Sequence, residues 1–167
     1  MTIRRFVMSL GATLRLRSEL CSGIVCIDSF DEYNMTGRLY HNSLSHELYF
    51  RSFMELVEQM EYIFDSLDYP QKSMELRAFP GTERVEREKV HAANSSLTHS
   101  AAARGDVATF QLRVMFRQNA SWQGTVRWIE QDLSENFRSV LELLHLIDSA
   151  IPVEHKAIEP ETQATAI

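Results

Sequence analysis

Arginine side chains recur in segments whose polar and apolar residues alternate as they do in β-strands. Arg38 lies in MTGRLYH, Arg113 in ATFQLRVMF and Arg127 in WQGTVRWIE, while Arg117 directly follows the second of these segments. Because successive side chains of a strand point to opposite faces, these arginines are predicted to lie together on the open face of a sheet. The planar guanidinium group pairs well with phosphate and carboxylate groups. The candidate ligand-binding residues are Arg38, Tyr40, Arg113, Arg117, Gln123 and Arg127.

The chemistry of this face leaves three interpretations open. Tyr40 could stack on a nucleobase beside the arginines, as aromatic side chains do in sheets that hold single-stranded RNA. The same face also suits contact with another protein. Finally, antiparallel sheets commonly leave one face in water with no ligand at all.

Ionisable groups elsewhere do not form a catalytic or metal-binding pattern. His145 follows Glu142 by three residues on one predicted helix, and Glu58, Glu61 and Asp65 lie on another. Both sets are interpreted as solvated helix faces. The chain contains no HExxH, GxSxG, P-loop or GxGxxG motif. The prediction is a non-enzymatic protein with no catalytic residues, no metal site and no cofactor.

A repeated phrase predicts the helices that position these groups. FRSFMELVEQME begins at Phe50, and FRSVLELLHLID begins at Phe137, 87 residues later. In each copy a serine precedes a glutamate by three residues, which is the spacing of a capping box, and apolar residues then recur with helical period. The first helix is predicted to end near Leu67, because Pro70 disfavours helical backbone at the residue before it. The second is predicted to end before Pro152.

Two strand-like segments precede each helix phrase. They are GIVCIDSF and MTGRLYH in the first copy, and ATFQLRVMF and WQGTVRWIE in the second, with Gly37 and Gly124 again 87 residues apart. The predicted fold class is α+β, with duplicated β-β-α units forming one antiparallel sheet of four or five strands and two helices packed on one face. SMELRAF, after the first helix, is the candidate fifth strand. Trp122 and Trp128 are interpreted as core residues against the second helix.

The predicted domain organisation has three parts. Residues 1–20 form an N-terminal extension that is either disordered or an amphipathic, arginine-rich surface helix. Residues 21–153 form a single α+β domain made of two repeats, 21–79 and 107–151, joined by a polar linker, 80–106. Residues 154–167 form a disordered tail.

Composition and charge are those of an ordinary soluble domain. The 167 residues are 44% hydrophobic and 24% charged, and the net charge of −6 argues against a surface devoted to nucleic acid or anionic lipid. No uninterrupted apolar run is long enough to span a membrane. Cys21 and Cys26 are too few for a disulfide framework, which suits a reducing compartment, so a cytoplasmic location is predicted.

The phrases RQNASWQGTVRWIE and FRSVLELLHLID resemble a family of small, uncharacterised bacterial proteins of the Firmicutes type. The family pattern reads RQNxSWQG…FRSxLELxxLID, and MTGRLYHN, MEYIFDSLDYPQ and LRAF are similar to its N-terminal half. The resemblance covers roughly Ile24 to Ile151, and the N-terminal extension departs from the pattern. It implies a cytoplasmic bacterial protein and carries over no activity, cofactor or site residue.

Three features together predict a non-enzymatic interaction or regulatory module: the lack of a catalytic pattern, the duplicated unit, and the contrast between acidic helices and a basic sheet face. Its partner is predicted to be an unknown protein or a second copy of the chain. The alternative is a binding module for an anionic ligand, a nucleotide or single-stranded nucleic acid, acting through the arginine-bearing open face.

Overall fold

The computed structural model of the chain describes residues 17–31, 34–75, 77, 79–81 and 103–151, and residues 17–20 are helical. The elements that follow are β1 (Ser22–Phe30), β2 (Met35–His41), β3 (Leu48–Phe50), α1 (Phe53–Leu67), β4 (Ala108–Gln118), β5 (Ser121–Trp128), β6 (Leu133–Phe137) and α2 (Val140–Ala150). No helix among these described residues is long and apolar enough to cross a membrane. Most of the predicted extension, linker and tail (1–16, 82–102 and 152–167) lies outside the described residues. Those three segments therefore stay predictions.

All six strands belong to one antiparallel sheet with the order β3-β2-β1-β4-β5-β6. The α+β class and the antiparallel sheet are confirmed, but the predicted count of four or five strands is wrong. The missed strands, β3 and β6, are the two edges, and they have only three and five residues. Strands this short show no sustained alternation. The described part of SMELRAF forms no strand; Lys72, just before it, makes one isolated bridge to Arg117.

The two halves of the sheet pair their strands in the same register. Gly37 lies opposite Phe50 across β2 and β3, and Gly124 lies opposite Phe137 across β5 and β6. A Cβ atom added to Gly37 would lie 2.0 Å from a carbonyl oxygen of β1, and one added to Gly124 would lie 2.0 Å from a carbonyl oxygen of β4. Both positions therefore require glycine for the same reason, which is close approach of the neighbouring backbone.

A β-bulge also occurs at the same place in both halves. The β1–β2 register shifts between Ile27 and Ser29, and the β4–β5 register shifts between Val114 and Phe116, 87 residues later. One extra residue in a strand moves every later side chain to the opposite face. Sequence alternation alone therefore assigns the wrong face to residues beyond each bulge.

Both helices begin at the repeated phrase, as predicted. The hydroxyl oxygens of Ser52 and Ser139 each accept a hydrogen bond of 3.1 Å from the N–H of the glutamate three residues on. Each glutamate carboxylate, however, accepts from the N–H of the arginine before the serine, not from the serine N–H as in a capping box. α1 ends at Leu67, and α2 ends at Ala150, in agreement with the predicted ends.

Both helices contribute side chains to one buried core. Its helical members are Leu56, Met60, Ile63 and Phe64 from α1, and Leu143 and Ile147 from α2. Strand residues such as Val25, Leu39, Leu112 and Val126 belong to the same cluster. α1 also reaches the second half of the chain, since the ring of Phe64 lies edge-on to that of Trp122, with ring centroids 5.9 Å apart. Trp122 is buried as predicted, but this ring contact is with the first helix.

Candidate functional site

The structure places five of the six predicted ligand-binding residues on one face of the sheet and the sixth on the other face. Residues opposite each other on neighbouring strands share a face of the sheet. The register places five of the six on the open face: Arg38, Tyr40, Arg113, Gln123 and Arg127. Arg117 lies opposite Trp122 and therefore faces the core. The predicted row of four open-face arginines is thus reduced to three.

Arg38 is already neutralised by a neighbouring carboxylate. Its Nε and Nη2 atoms donate to the two oxygens of Asp28, at 2.8 and 2.7 Å, in a bidentate pair. Its Nη1 donates to the hydroxyl of Tyr40 at 3.2 Å, and its Nη2 also donates to a backbone carbonyl, that of Arg104. The hydrogen bonds to Asp28 hold the pKa of Arg38 above its ordinary value. This guanidinium has little capacity left for a ligand.

Burial is the main influence on the pKa of two groups near that ion pair. It raises the pKa of Tyr40, and it raises the pKa of the Cys26 thiol to about 11. Both groups therefore stay protonated at neutral pH, and the thiol has little nucleophilic character.

Arg127 and Gln123 are engaged as well. Arg127 donates to Oδ1 of Asp132 in the β5–β6 turn, from Nη2 at 2.5 Å and from Nε at 3.0 Å. The amide of Gln123 exchanges two hydrogen bonds of 3.1 Å with the backbone of Gln118 and donates a third to the carbonyl of Arg138. These hydrogen bonds of Gln123 stabilise the β4–β5 hairpin.

Arg113 is the exposed arginine of the open face that makes no ion pair within the described part of the chain. It lies opposite Thr125, which places it diagonal to Arg127, about 7–8 Å away. A single unpaired guanidinium gives an anion much less to bind than the predicted row of arginines.

Arg117 was assigned to the wrong face because of the β4 bulge. The alternation of ATFQLRVMF places Arg113 and Arg117 on one side, but the register shift between Val114 and Phe116 turns Arg117 inward. Its side chain is only 4% exposed. Phe116 takes the open-face position instead and is exposed.

In the core, the Arg117 guanidinium is the centre of a polar network that joins the two halves of the chain. Its Nη1 donates to Glu61 at 2.9 Å and to Asp65 at 2.7 Å, and its Nε donates to the carbonyl of Pro70 at 2.6 Å. The indole N–H of Trp122 donates to the other oxygen of Glu61. Glu61 and Asp65 are therefore not a solvated helix face, as the sequence was interpreted, but the partners of a buried cation.

The Asp65 carboxylate of the network is held in its charged form. Burial alone would raise the pKa of Asp65, but hydrogen bonds from Lys72, at 2.6 Å, and from Arg117 outweigh it and leave the pKa below its ordinary value. The guanidinium carbon of Arg117 also lies 5.6 Å from the centroid of the Phe64 ring, within range of a cation–π contact.

The segment after α1 is fastened to the same arginine. The N–H of Ser73 donates to the backbone carbonyl of Arg117 at 3.0 Å. Beside this contact a pocket of about 130 Å³ opens between α1, this segment and the β4–β5 hairpin. Six of its lining residues are Val57, Lys72, Met74, Arg117, Trp122 and Val140.

The hairpin turn at the pocket rim is strained at one residue. Asn119 and Ala120 have φ values of 54° and 55°, in the left-handed region that both central residues of a type I′ turn require. Asparagine tolerates this region, but alanine does so only at a cost. Ala120 also contributes to the pocket lining. Strained residues cluster at functional sites, which makes this rim notable.

The sequence pointed to several of these residues without locating the pocket. RQNASWQG contains Arg117, Ala120, Ser121 and Trp122, but Glu61 comes from a helix 56 residues before Arg117. No sequence pattern revealed the β4 bulge that places the Arg117 side chain in the core. No group of His, Cys, Asp and Glu side chains in the described residues could hold a metal ion.

Comparison with known proteins returned no relatives. No protein-family model matches this chain, and no curated protein or solved structure shows significant similarity to it.

Proposed function

We propose that the chain is a non-enzymatic protein-interaction module that meets its partner at the hairpin end, defined as residues 115–123 and 72–74. The supporting observation is a group of exposed apolar side chains there: Met74 is 50% exposed, Met115 36% and Phe116 54%. Met115 and Phe116 directly precede Arg117, and Met74 follows the residue that bonds to its carbonyl. Phe116 lies on the open face of the sheet and Met74 lines the pocket on the helix face, so the hairpin end offers apolar groups on both faces. Exposed apolar groups of this kind mark interaction surfaces.

The polar network prepares this surface for binding. Arg117 joins α1, the segment after it and the hairpin: its side chain donates to two carboxylates and one backbone carbonyl, and its own carbonyl accepts one backbone hydrogen bond. The exposed side chains therefore stand on a rigid base. A surface that is ordered before binding loses less conformational entropy when the partner arrives.

Affinity capture with paired variants tests this proposal. Phe116→Asp places a charge in the centre of the hairpin end, whereas Leu141→Asp alters an equally exposed apolar residue on the first turn of α2. A partner that wild type and Leu141→Asp both retain, and that Phe116→Asp loses, supports the proposal. Equal retention, or equal loss, by the two variants would contradict it. Sedimentation at several concentrations of the chain identifies the case in which the partner is a second copy.

The alternative function, anion binding at the open face, has one supporting observation, the unpaired Arg113. Titration with single-stranded oligothymidylate at about 50 and 200 mM salt tests it, because phosphate contacts weaken steeply with salt. Salt-sensitive binding that Arg113→Ala abolishes would favour this alternative. We favour the interaction module, because Arg38, Arg117 and Arg127 already have carboxylate partners.

We further infer that the chain arose by duplication of a β-β-β-α unit, with the two helices on one face of the shared sheet. The support is the 87-residue offset that relates the glycines, the bulges and the helix caps. A cytoplasmic location is part of the same proposal, since Cys21 and Cys26 are both buried as free thiols.

A further inference from the structure

The pocket at the hairpin end has the dimensions of a single side chain. Its volume is about 130 Å³, and an engineered cavity of about 150 Å³ is known to admit benzene. Val57, Met74, Trp122 and Val140 supply apolar walls. A nucleotide or a folded domain is too large for this space, whereas one aliphatic or aromatic side chain fits it.

One wall carries a hydrogen-bond donor without an acceptor. Of the five N–H groups of the Arg117 guanidinium, those on Nε and Nη1 serve Pro70, Glu61 and Asp65. Nη2 makes no hydrogen bond to any residue that the structure describes, and it is not among the fully buried, unpaired polar atoms of those residues, so it keeps contact with solvent. A carbonyl that displaces this solvent contact would accept a hydrogen bond from Nη2 in its place.

The charges around the pocket favour a neutral acceptor. Arg117 and Lys72 supply two positive charges, and Glu61 and Asp65, which they contact, supply two negative ones. An incoming carboxylate would gain no net attraction and would stand close to two like charges. A backbone carbonyl accepts from Nη2 without that repulsion.

We infer that this pocket receives one apolar side chain, of about the size of leucine, from an extended segment of a partner protein, whose neighbouring main-chain carbonyl accepts a hydrogen bond from Nη2 of Arg117. The inference rests on the proposed function and specifies the partner's chemistry. Ala120 completes the rim: its methyl group is retained in a backbone conformation that glycine would adopt with less strain.

A blocked amino acid is the simplest probe of this pocket. N-acetylleucine N-methylamide carries the side chain and two neutral carbonyls, and N-acetylglycine N-methylamide is the same molecule without the side chain. Binding is followed by NMR through the indole N–H signal of Trp122, with that of Trp128, which does not line the pocket, as an internal reference. We expect the leucine probe to bind at least about tenfold more tightly than the glycine probe, because burying a leucyl group is worth a factor of that size.

Two exposed methionines provide matched variants. Met74→Trp fills the pocket mouth, while Met54→Trp makes the same change on a methionine of α1 that does not line the pocket. The leucine probe should bind Met54→Trp as it binds wild type, and its affinity for Met74→Trp should fall about tenfold or more.

Three outcomes would overturn the inference: equal binding of the leucine and glycine probes, no shift of the Trp122 signal, or tighter binding of N-acetylleucine with a free carboxylate. The last would identify an anion site. Failure of the leucine probe to bind and failure to capture a partner are independent results. Capture without probe binding leaves the interaction module with another contact, and probe binding without capture leaves a small-molecule pocket.

Discussion

The two hairpins of the sheet have matching strand registers but differ in the side chains that face the core. At the end of the β1–β2 hairpin the inward pair is Phe30 and Met35, and at the matching place in the β4–β5 hairpin it is Arg117 and Trp122. The first pair is simply apolar. The second pair contacts two carboxylates of α1, Glu61 and Asp65, and the backbone of Arg117 is hydrogen-bonded to the segment after α1. The pocket and the exposed apolar side chains lie where this second hairpin meets α1 and residues 72–74 of the first half.

This difference bears on the duplication proposed above. Under that proposal, one unit has exchanged an apolar residue for a buried arginine. The exchange then needs acceptors, and the neighbouring half supplies them. Experiments that weaken one hairpin and spare the other test this explanation, beginning with the largest expected effect.

Removal of the buried guanidinium should have the greatest effect on stability. Arg117→Ala leaves the carbonyl of Pro70 without this donor, and it leaves Glu61 with only Trp122 and Asp65 with only Lys72, so we expect a loss of about 3 kcal/mol. This is the lower end of the range for breaking a buried ion pair, because both carboxylates are partly exposed. Urea unfolding measures the change. Arg113→Ala, on the open face, should stay within about 0.5 kcal/mol of wild type, and a similar loss in both variants would contradict a special role for Arg117.

The glycine substitutions should affect the two halves alike. Gly37→Ala and Gly124→Ala each force a methyl group against a carbonyl oxygen of the adjacent strand. We expect each to lower the free energy of unfolding by about 1–3 kcal/mol, as overpacking does. Thermal or urea unfolding of both variants provides the comparison. A large loss in one and none in the other would count against equivalent halves.

Relief of strain at the hairpin turn should be stabilising. Ala120→Gly removes the steric penalty of a left-handed alanine, and after the extra entropy of glycine in the unfolded chain we expect a gain of about 0.5–1 kcal/mol. Asn119→Gly is the matched control in the same turn, and it should change little because asparagine tolerates this conformation. A gain in Asn119→Gly that equals the gain in Ala120→Gly would refute strain at Ala120.

The smallest expected effect concerns His41 and its counterpart, Trp128. Nε2 of His41 lies 3.1 Å from the carbonyl of Leu20, and Nδ1 accepts from the N–H of Ser43, so the ring is held neutral. Burial lowers the pKa of His41. The unfolded chain therefore takes up a proton first, and stability should fall as the pH drops below about 6.5 towards the lowered pKa.

Unfolding measured between pH 8 and pH 5 tests that expectation. His41→Gln should show a shallower decline than wild type, since the glutamine does not titrate. The matching position in the second half should show no such pH dependence, because Trp128 carries no ionisable group. Its indole N–H is buried and has no acceptor among the residues that the structure describes. Identical slopes for wild type and His41→Gln would show that His41 is not the responsive group.

Local patterns predicted the fold better than they predicted the site. Serine caps and helical periodicity located both helices, and alternation located β1, β2, β4 and β5. β3 and β6 escaped because they are short edge strands. β6 is exposed at every position before Phe137 and has no apolar alternation to detect.

The candidate site depended on contacts that no local pattern contains. A single bulge reversed the orientation of Arg117, and its partners Glu61 and Asp65 lie more than 50 residues earlier in the chain. The open-face hypothesis was right for Arg38, Arg113 and Arg127 in position, but two of the three have carboxylate partners close by. Asp28 neutralises Arg38 from the neighbouring strand, and the geometry of that pair depends on the β1–β2 register.

The contact between α1 and the second hairpin also bears on how the chain is made. The hydrogen bond from Trp122 to Glu61 spans 61 residues, so a ribosome exposes the apolar stripe of α1 well before its cover is synthesised. Non-local contacts of this kind delay folding. Until translation reaches the second hairpin, the nascent first half lacks the residues that cover this stripe, and exposed apolar surface of that kind favours aggregation.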